Sequence, residues 1–591
     1  MTPAQSEILK TVFGHAALRG AQEPVIARTM AGENSLAVMP TGSGKSLCYQ
    51  LPAVALPGTC IVISPLIALM HDQLRGAEAV GIRAATLTSA DDDRVETVRR
   101  MRGGELDLLY VAPERATMPE FAELLDTTPI SLFAIDEAHC VSEWGHDFRP
   151  DYRRLRPLLD RFGAIPRLAL TATADARTRA DIALQLGIPD QGIIVAGFDR
   201  PNIRYAMRAR DGVARQLGAL VAEYPGAGII YAPTRAATER IAESLNKLPA
   251  MKRREARAYH AGLPPEIRAR NQADFVASED MVMVATIAFG MGIDKPDVRF
   301  VAHAGLPKSI EAYYQETGRA GRDGDPAMAQ MFWGADDFAR ARQRLGEIPE
   351  DRRMGELERL NALAGLVETT GCRRAAILRH FDEDPPEHCG NCDNCIDPPK
   401  GIDATELARK LLSAVYRTGQ SFGIGHVEAV LAGRATDKIA ARGHDRLSVF
   451  GIADAEELKL LRPAMRALTA RDALRQTEHG GMMLGPAARP ILRGEAEITV
   501  IEPPPKRRSA RDRSASPNPV GDPLFEALRA LRKELASERG VPPYVVFHDS
   551  VLRDMAGLRP ASLAELGELP GIGAAKLDAY GEAFLKVIRD N

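Results

Sequence analysis

"SLAVMPTGSGKSLCYQLPAV", residues 35–54, carries an apolar run into a glycine-rich loop and then into a helical pattern. The loop MPTGSGKS (39–46) ends on Gly44, Lys45 and Ser46, the close of a P-loop. The P-loop pattern opens on glycine, and this chain has Met39 there. Backbone N–H groups of such a loop cradle phosphates at a helix N-terminus, which assigns Thr41, Gly42, Ser43 and Gly44 to a nucleotide site. Lys45 is placed to reach the β- and γ-phosphates, and Ser46 to ligate Mg²⁺. The plainer alternative is a glycine-rich turn between a strand and a helix. The flanks, SLAVM before and LCYQLPAV after, favour the phosphate site.

The same alternation continues along the chain. TCIVIS, LDLLYVA, SLFAID and RLALTAT read as strands separated by helical sequence. GAGIIYAPT, EARAYHAG, MVMVAT, VRFVAHAG and MAQMFW repeat the scheme between residues 200 and 340. The expectation is an α/β protein with two tandem parallel-sheet lobes, residues 1–200 and 201–340, and a cleft between them. A helical, cysteine-rich module (341–400) follows, then a compact mixed domain (401–495). A Pro-, Ser- and Arg-rich flexible linker (496–521) leads to a helical domain (522–591), where Leu524, Leu528, Leu531 and Leu535 share one helix face.

LFAIDEAH supplies the partner of the P-loop. Asp136 ends a buried strand, where a carboxylate holds Mg²⁺ through water. Glu137 beside it can orient and deprotonate an attacking water. Immediately afterwards comes HCVSEWGHDFRPDY (139–152), a loop by its Gly145, Pro150 and crowded charges. It holds Trp144, one of two tryptophans in the chain, with Phe148 and Arg149. Stacking an unpaired base on an aromatic ring is worth ~1–3 kcal/mol. Opening a base-pair step takes about 1.4 kcal/mol. The two are comparable, so a stacking loop tethered to a hydrolytic site can rectify strand motion. Simple packing of both rings in the lobe is the alternative.

Composition sets outer limits. The 591 residues are 45% hydrophobic and 26% charged, as in a globular protein of several domains. The net charge of −3 means that any phosphate-binding surface must be local. No signal peptide is visible at the N-terminus. The apolar stretch 51–70 is broken by Pro52, Pro57, Gly58 and Pro65 and reads as helix, buried strand and helix, so no membrane partner is expected and the location is cytoplasmic. Cys372, Cys389, Cys392 and Cys395 have the spacing of a four-thiolate, structural Zn²⁺ site; C-x₂-C-x₂-C also echoes iron–sulfur runs.

The P-loop and DEAH motifs resemble those of superfamily 2 helicases, and nearly the whole chain resembles the RecQ family of DNA helicases. The resemblance rests on LRGAQEPVI, VISPLIALMHDQ, LLYVAPER, LALTATAD, GIIYAPTR, VATIAFGMGIDKPDVRFVAH and YYQETGRAGRDG, in the family's order. It implies RecA-like lobes, ATP and Mg²⁺ as cofactors, structural zinc, a winged helix at 401–495 and an HRDC domain at 522–591. His15, Arg19 and Gln22 then recognise adenine, and Asp294 joins the nucleotide site. Arg322 is the finger that stabilises the transferred phosphoryl, with Gln315 and Arg319 on phosphate or water. Arg319 and Arg322 share a face if that segment is helical. His139 links hydrolysis to the aromatic loop. His479, at the tip of the hairpin LRQTEHGGMML, and Tyr544 and Lys576 of the last domain are further DNA-contact candidates.

The activity so implied is ATP-dependent, 3′→5′ translocation on single-stranded DNA with duplex unwinding, serving recombination, repair, replication forks and the SOS response. The implied partners are single-stranded, forked and duplex DNA, with single-stranded DNA-binding protein and repair proteins, at the bacterial nucleoid. Two other readings stand beside it: an RNA helicase, since DEAH-type motifs are shared, and a DNA-binding scaffold with a vestigial ATPase. The HRDC segment, slightly acidic overall, suits protein docking nearly as well as DNA.

Overall fold

A computed structural model describes residues 1–88, 91, 93–142, 149–252, 254–287, 289, 295–476, 481–501 and 522–591. Four site candidates, Trp144, Phe148, Asp294 and His479, lie outside the described residues, as does most of the linker.

The first lobe is built on seven parallel strands. They are β1 (Ser35–Val38), β2 (Thr59–Ile63), β3 (Ala84–Leu87), β4 (Leu108–Val111), β5 (Ile130–Ile135), β6 (Arg167–Thr171) and β7 (Ile193–Val195), in the order β3-β4-β2-β5-β6-β1-β7. Strands β1 to β6 are buried almost throughout, because helices cover both faces of the sheet. The second lobe repeats the plan with β8 (Ile203–Ala209), β9 (Ala227–Tyr231), β10 (Ala256–Tyr259), β11 (Val282–Ala285), β12 (Val298–His303) and β13 (Ala327–Trp333), ordered β10-β11-β9-β12-β13-β8. The second tryptophan, Trp333, is a core residue of β13. Strands β3, β7 and β8 add to those expected. All three are edge strands: Ala-Ala-Thr-Leu is too weakly apolar to stand out, β7 is only three residues long, and the apolar run of β8 is broken by arginines.

Helices Glu350–Glu368 and Arg373–His380 carry the cysteine-rich module against the second lobe. Phe198 stacks on Phe381 with ring centroids 4.5 Å apart, and the Tyr314 hydroxyl donates to the Phe198 carbonyl at 2.7 Å. The next domain packs helices Thr405–Arg417, Ile424–Leu431 and Ala455–Ala470 around Leu407, Leu411, Val427 and Leu468. Strands β15 (Leu474–Gln476) and β16 (Met482–Leu484) form its antiparallel hairpin. One boundary needs correcting. Thr499–Ile501, placed in the linker by composition, forms β17 and pairs antiparallel with β14 (Gly401–Asp403), closing the domain on itself. Helices Pro523–Arg539, Asp549–Leu558 and Ala574–Asp590 form the last domain around Leu528, Phe547, Leu552 and Phe584. Among the described residues no helix is long and apolar enough to cross a membrane.

Candidate functional site

Strand order brings the site together. β6 lies between β5 and β1, so the C-terminal ends of β1, β6 and β5 are consecutive. β1 ends in the P-loop, β5 in Asp136-Glu137, and β6 in Thr171, which is level with Val38 of β1. Such ends of parallel strands are where α/β sheets bind ligands.

The P-loop turns on two left-handed glycines, Gly42 at φ +84 and Gly44 at φ +74. A side chain at Gly44 would collide with Gln22, its Cβ 2.5 Å from Nε2. Gln22 is buried and braces the loop. Its amide donates to the Ser43 carbonyl at 3.0 Å and the Gly44 carbonyl at 3.2 Å, and its carbonyl accepts from the Arg19 backbone N–H at 2.8 Å. His15 lies nearby, with its imidazole held below its ordinary pKa by burial, then by Arg19 and Lys576. Lys45 Nζ donates to the Met39 and Pro40 carbonyls at 3.2 and 3.3 Å, folded back over its own loop.

Asp136 is buried, and its carboxylate accepts from the Glu137 backbone N–H at 3.0 Å and from Gln73 Nε2 at 3.4 Å. Burial and the neighbouring Glu137 charge push its pKa up to about 6, against the pull of Lys45. Glu137 takes a left-handed backbone at φ 48, a strained conformation for a non-glycine residue. That turn points its carboxylate toward His139, whose Nδ1 is 3.3 Å from Glu137 Oε2 and 3.0 Å from Thr171 Oγ1. The Thr171 hydroxyl donates onward to the Thr173 carbonyl at 3.2 Å. His139 is fully buried. Burial lowers its pKa, but Cys140 and Glu137 outweigh that and raise it overall. Residues 143–148, the run that holds Trp144 and Phe148, lie outside the described residues, and the chain is described again from Arg149. There the backbone N–H of Arg149 donates to the Cys140 carbonyl at 2.9 Å, and its guanidinium to the Pro65 carbonyl at 2.8 Å. Arg149 is thus tied both to the segment after the hydrolytic motif and to the end of β2, the neighbour of β5.

The second lobe meets the P-loop directly. A Cβ on Gly42 would lie 3.5 Å from Arg322 Cα and Cγ, and one on Gly318 would lie 3.2 Å from Thr41 Oγ1. Arg319 and Arg322 follow the helix Ile310–Thr317 in a tight turn, so they do not share a helical face; Gln315 lies on that helix, half-buried. Arg319 is buried near Tyr231. Sequence reasoning missed Arg200, which crosses the cleft. One of its nitrogens donates to Thr41 and Gly318 carbonyls at 2.7 and 3.1 Å, the other to Ala320 and Gly321 carbonyls at 2.9 and 3.0 Å. No motif marks it, since its partners are backbone atoms from two distant segments. Gln73 and Thr171 lay within recognised runs, but only the fold reveals their contacts.

The four cysteines converge. Their sulfurs lie within 4.8 Å of one another, with Cys389–Cys395 and Cys372–Cys392 pairs at 3.9 Å. A tetrahedron of thiolates on Zn²⁺ at ~2.3 Å has edges of roughly 3.8 Å, so the set fits zinc. Backbone N–H groups of Asn391 and Cys392 point at Cys389 Sγ, and that of Ala375 at Cys372 Sγ, as anionic sulfur requires. His388 Nδ1 is 4.0 Å from Cys395 Sγ, beside the cluster. Asp393, within the cluster's loop, accepts from Arg373 and from the Met207 backbone, tying the site to β8. Cys392→Ser is therefore expected to abolish zinc retention, read by metal analysis, and to lower the melting temperature of the whole core.

The DEAD/DEAH box helicase family matches residues 19–182 and the helicase conserved C-terminal domain matches 213–324. The RecQ zinc-binding family matches 335–396, the RQC domain 398–509 and the HRDC domain 522–588. The ATP-dependent DNA helicase RecQ of Haemophilus influenzae is 42% identical over 602 residues, covering 100% of this chain and 96% of that protein. The proteins of the same description from Pasteurella multocida and Bacillus subtilis are 41% and 37% identical. They cover 99% of this chain each, and 93% and 98% of their own lengths.

Proposed function

The chain belongs to the RecQ family and is an ATP-dependent DNA helicase, and from that premise we propose how its residues divide the labour. The observation that carries the reading is the contact across the cleft: P-loop glycine Gly42 against Arg322, with Arg200 bridging both sides. Hydrolysis that depends on a guanidinium from the opposite lobe can proceed only when the cleft is shut, so each turnover becomes a lobe movement.

The P-loop backbone and Lys45 hold the phosphates, and His15, Arg19 and Gln22 the adenine. Ser46 and Asp136 hold Mg²⁺, which neutralises phosphate charge when bound. The site suits a dication: a buried carboxylate with a raised pKa, beside a second acid, regains as metal coordination what it lost in solvation. Glu137 accepts a proton from the attacking water. Gln315, Arg319 and Arg322 meet the γ-phosphoryl, with Asp294 completing the site. His139, bonded between the catalytic acid and Thr171, passes the change to the loop of Trp144, Phe148 and Arg149, which grips unpaired bases. The motor runs 3′→5′, and the hairpin around His479 parts the strands. Its work lies in recombination, repair, fork processing and the SOS response, in the cytoplasm at the nucleoid, beside single-stranded DNA-binding protein and repair proteins.

Protons compete with Mg²⁺ for Asp136. Since its pKa is raised, to about 6, the carboxylate is free for metal above that pH and protonated below it. The apparent Kd for Mg²⁺ is expected to stay flat from pH 8 to 6.5 and to rise roughly tenfold per unit below about pH 6. A titration followed by isothermal calorimetry checks this. The same burial predicts that Asp136→Asn raises the melting temperature at pH 7 while stopping hydrolysis, because an ionised, desolvated carboxylate is replaced by a neutral amide. The function itself is tested by nucleotide turnover with single-stranded DNA and with RNA of the same sequence. Stimulation by DNA alone supports the reading; equal stimulation by RNA contradicts it.

A further inference from the structure

Glu316 sits near the end of the helix Ile310–Thr317, between Gln315 and the turn that carries Arg319 and Arg322. Its side chain reaches back to the second-lobe sheet. Glu316 Oε2 lies 2.6 Å from Nε2 of His303, the last residue of β12. Both are buried, His303 at 2% exposure and Glu316 at 9%. A buried carboxylate is costly to leave unpaired, so the contact is one the folded lobe has to keep. With 3.6 residues per helical turn, Gln315 stands about 100° round from Glu316. Fixing one therefore fixes the rotation of the other about the helix axis.

The imidazole is held on its faces as well. His303 is level with Tyr231, the last residue of neighbouring β9, and the two rings stack with centroids 5.3 Å apart and planes 25° apart. The Tyr313 ring, from the turn before Glu316 on the same helix, lies 5.2 Å from His303. Tyr231 in turn lies in the field of the arginines. Burial pushes its hydroxyl up to about 12, against the pull of Arg319 and Arg322, with Glu316 acting in the same direction as burial. Helix end, strand ends and arginine turn thus meet in one buried cluster. Arg200 and Asn202 hold the far side of that turn through the Ala320 and Gly321 carbonyls. The Glu316–His303 contact holds the side from which the turn springs.

We propose that Glu316 and His303 are positioning residues for hydrolysis: they pin the last helical turn to the end of β12 and so set where Gln315, Arg319 and Arg322 stand against the P-loop. The inference rests on the reading that these three meet the γ-phosphoryl. A hydrogen bond is directional, whereas apolar packing is not. The helix ends at Thr317, and Gly321 turns left-handed at φ +56, so no helical ladder steadies the chain between Glu316 and Arg322. An error in the setting of Glu316 is passed on to the arginines. A misplacement of about 1 Å at a reacting centre costs on the order of 10²-fold in rate. The pair therefore acts on kcat through geometry, while the P-loop of the first lobe keeps its ground-state hold on ATP.

Steady-state turnover of the full-length protein with single-stranded DNA, read beside its melting temperature, tests the pair. Glu316→Gln keeps a hydrogen bond to the ring and is expected to retain at least about a third of native kcat. His303→Phe combined with Glu316→Leu removes both polar partners and keeps their volume. It is expected to hold the melting temperature within about 3 °C, yet to lower kcat about 10²-fold with the KM for ATP within about twofold. Adding this pair of substitutions to Arg322→Ala is expected to cost about tenfold or less beyond Arg322→Ala alone, because most of what the pair places is then gone. The proposal is overturned if the apolar pair keeps native kcat or fails to fold, if KM rises in step with the loss, if Glu316→Gln falls as far, or if its effect and that of Arg322→Ala multiply in full. An Arg322→Ala variant with native kcat would instead overturn the reading of the arginine on which the pair depends.

Discussion

Arg322→Ala is expected to lower DNA-stimulated kcat by about 10³- to 10⁵-fold, the range for loss of an arginine that meets a transferring phosphoryl group. The KM for ATP should change little, because the guanidinium is matched to charge that develops on the equatorial oxygens and is weaker in the ground state. The structural ground is its position. Arg322 leaves a tight turn of the second lobe, pinned by Arg200 and by Asn202, whose amide donates to the Gly321 and Asp325 carbonyls at 2.8 and 2.9 Å. That turn presses Arg322 onto Gly42. Arg322→Lys restores charge but not the planar fork, so it should recover only part of the loss. A rise in KM with kcat preserved would instead make Arg322 a ground-state phosphate ligand. The assay is steady-state turnover with and without single-stranded DNA.

Lys45→Ala is the second large effect. It is expected to cut hydrolysis by at least about 10²- to 10³-fold, the loss that follows removal of one preorganised donor to a developing charge. Lys45 is held over the loop by two carbonyls and its charge acts on Asp136, so its ammonium already sits within the site. The loop should keep its shape in the variant, since Gln22 braces it independently through the Ser43 and Gly44 carbonyls. DNA binding, read by fluorescence anisotropy, is therefore expected to survive. Loss of binding along with turnover would mean that the loop had collapsed.

The contrast between what could and could not be read from the chain has physical roots. The P-loop, the DEAH run and the cysteine cluster are local: each packs its chemistry into a few adjacent residues, with spacing that its ligand dictates. The buried strands were legible for a related reason, since parallel strands covered on both faces read as unbroken apolar runs. Arg200 was illegible because its four acceptors are carbonyl oxygens, which any sequence supplies. β17 was missed because Thr-Val-Ile gains its meaning only from β14, nearly a hundred residues earlier, and because the Pro- and Arg-rich run after it lent the whole stretch a linker's composition. The helical face expected for Arg319 and Arg322 failed at Gly318, where the helix ends and Gly321 takes a left-handed turn. Tyr544 and Lys576 invited a DNA-contact reading by their chemistry. Only the fold sets Tyr544 against the second lobe and brings Lys576 near His15.

The central claim is that ATP hydrolysis moves a base-gripping loop through His139. It is tested most directly by the number of ATP molecules consumed per base pair opened, measured on the same forked duplex for the native protein and for Trp144→Ala. The account predicts that basal hydrolysis and melting temperature stay near native while consumption per base pair rises steeply, because the motor turns without holding its track. A lower melting temperature with an unchanged coupling ratio would make Trp144 a packing residue and contradict the account.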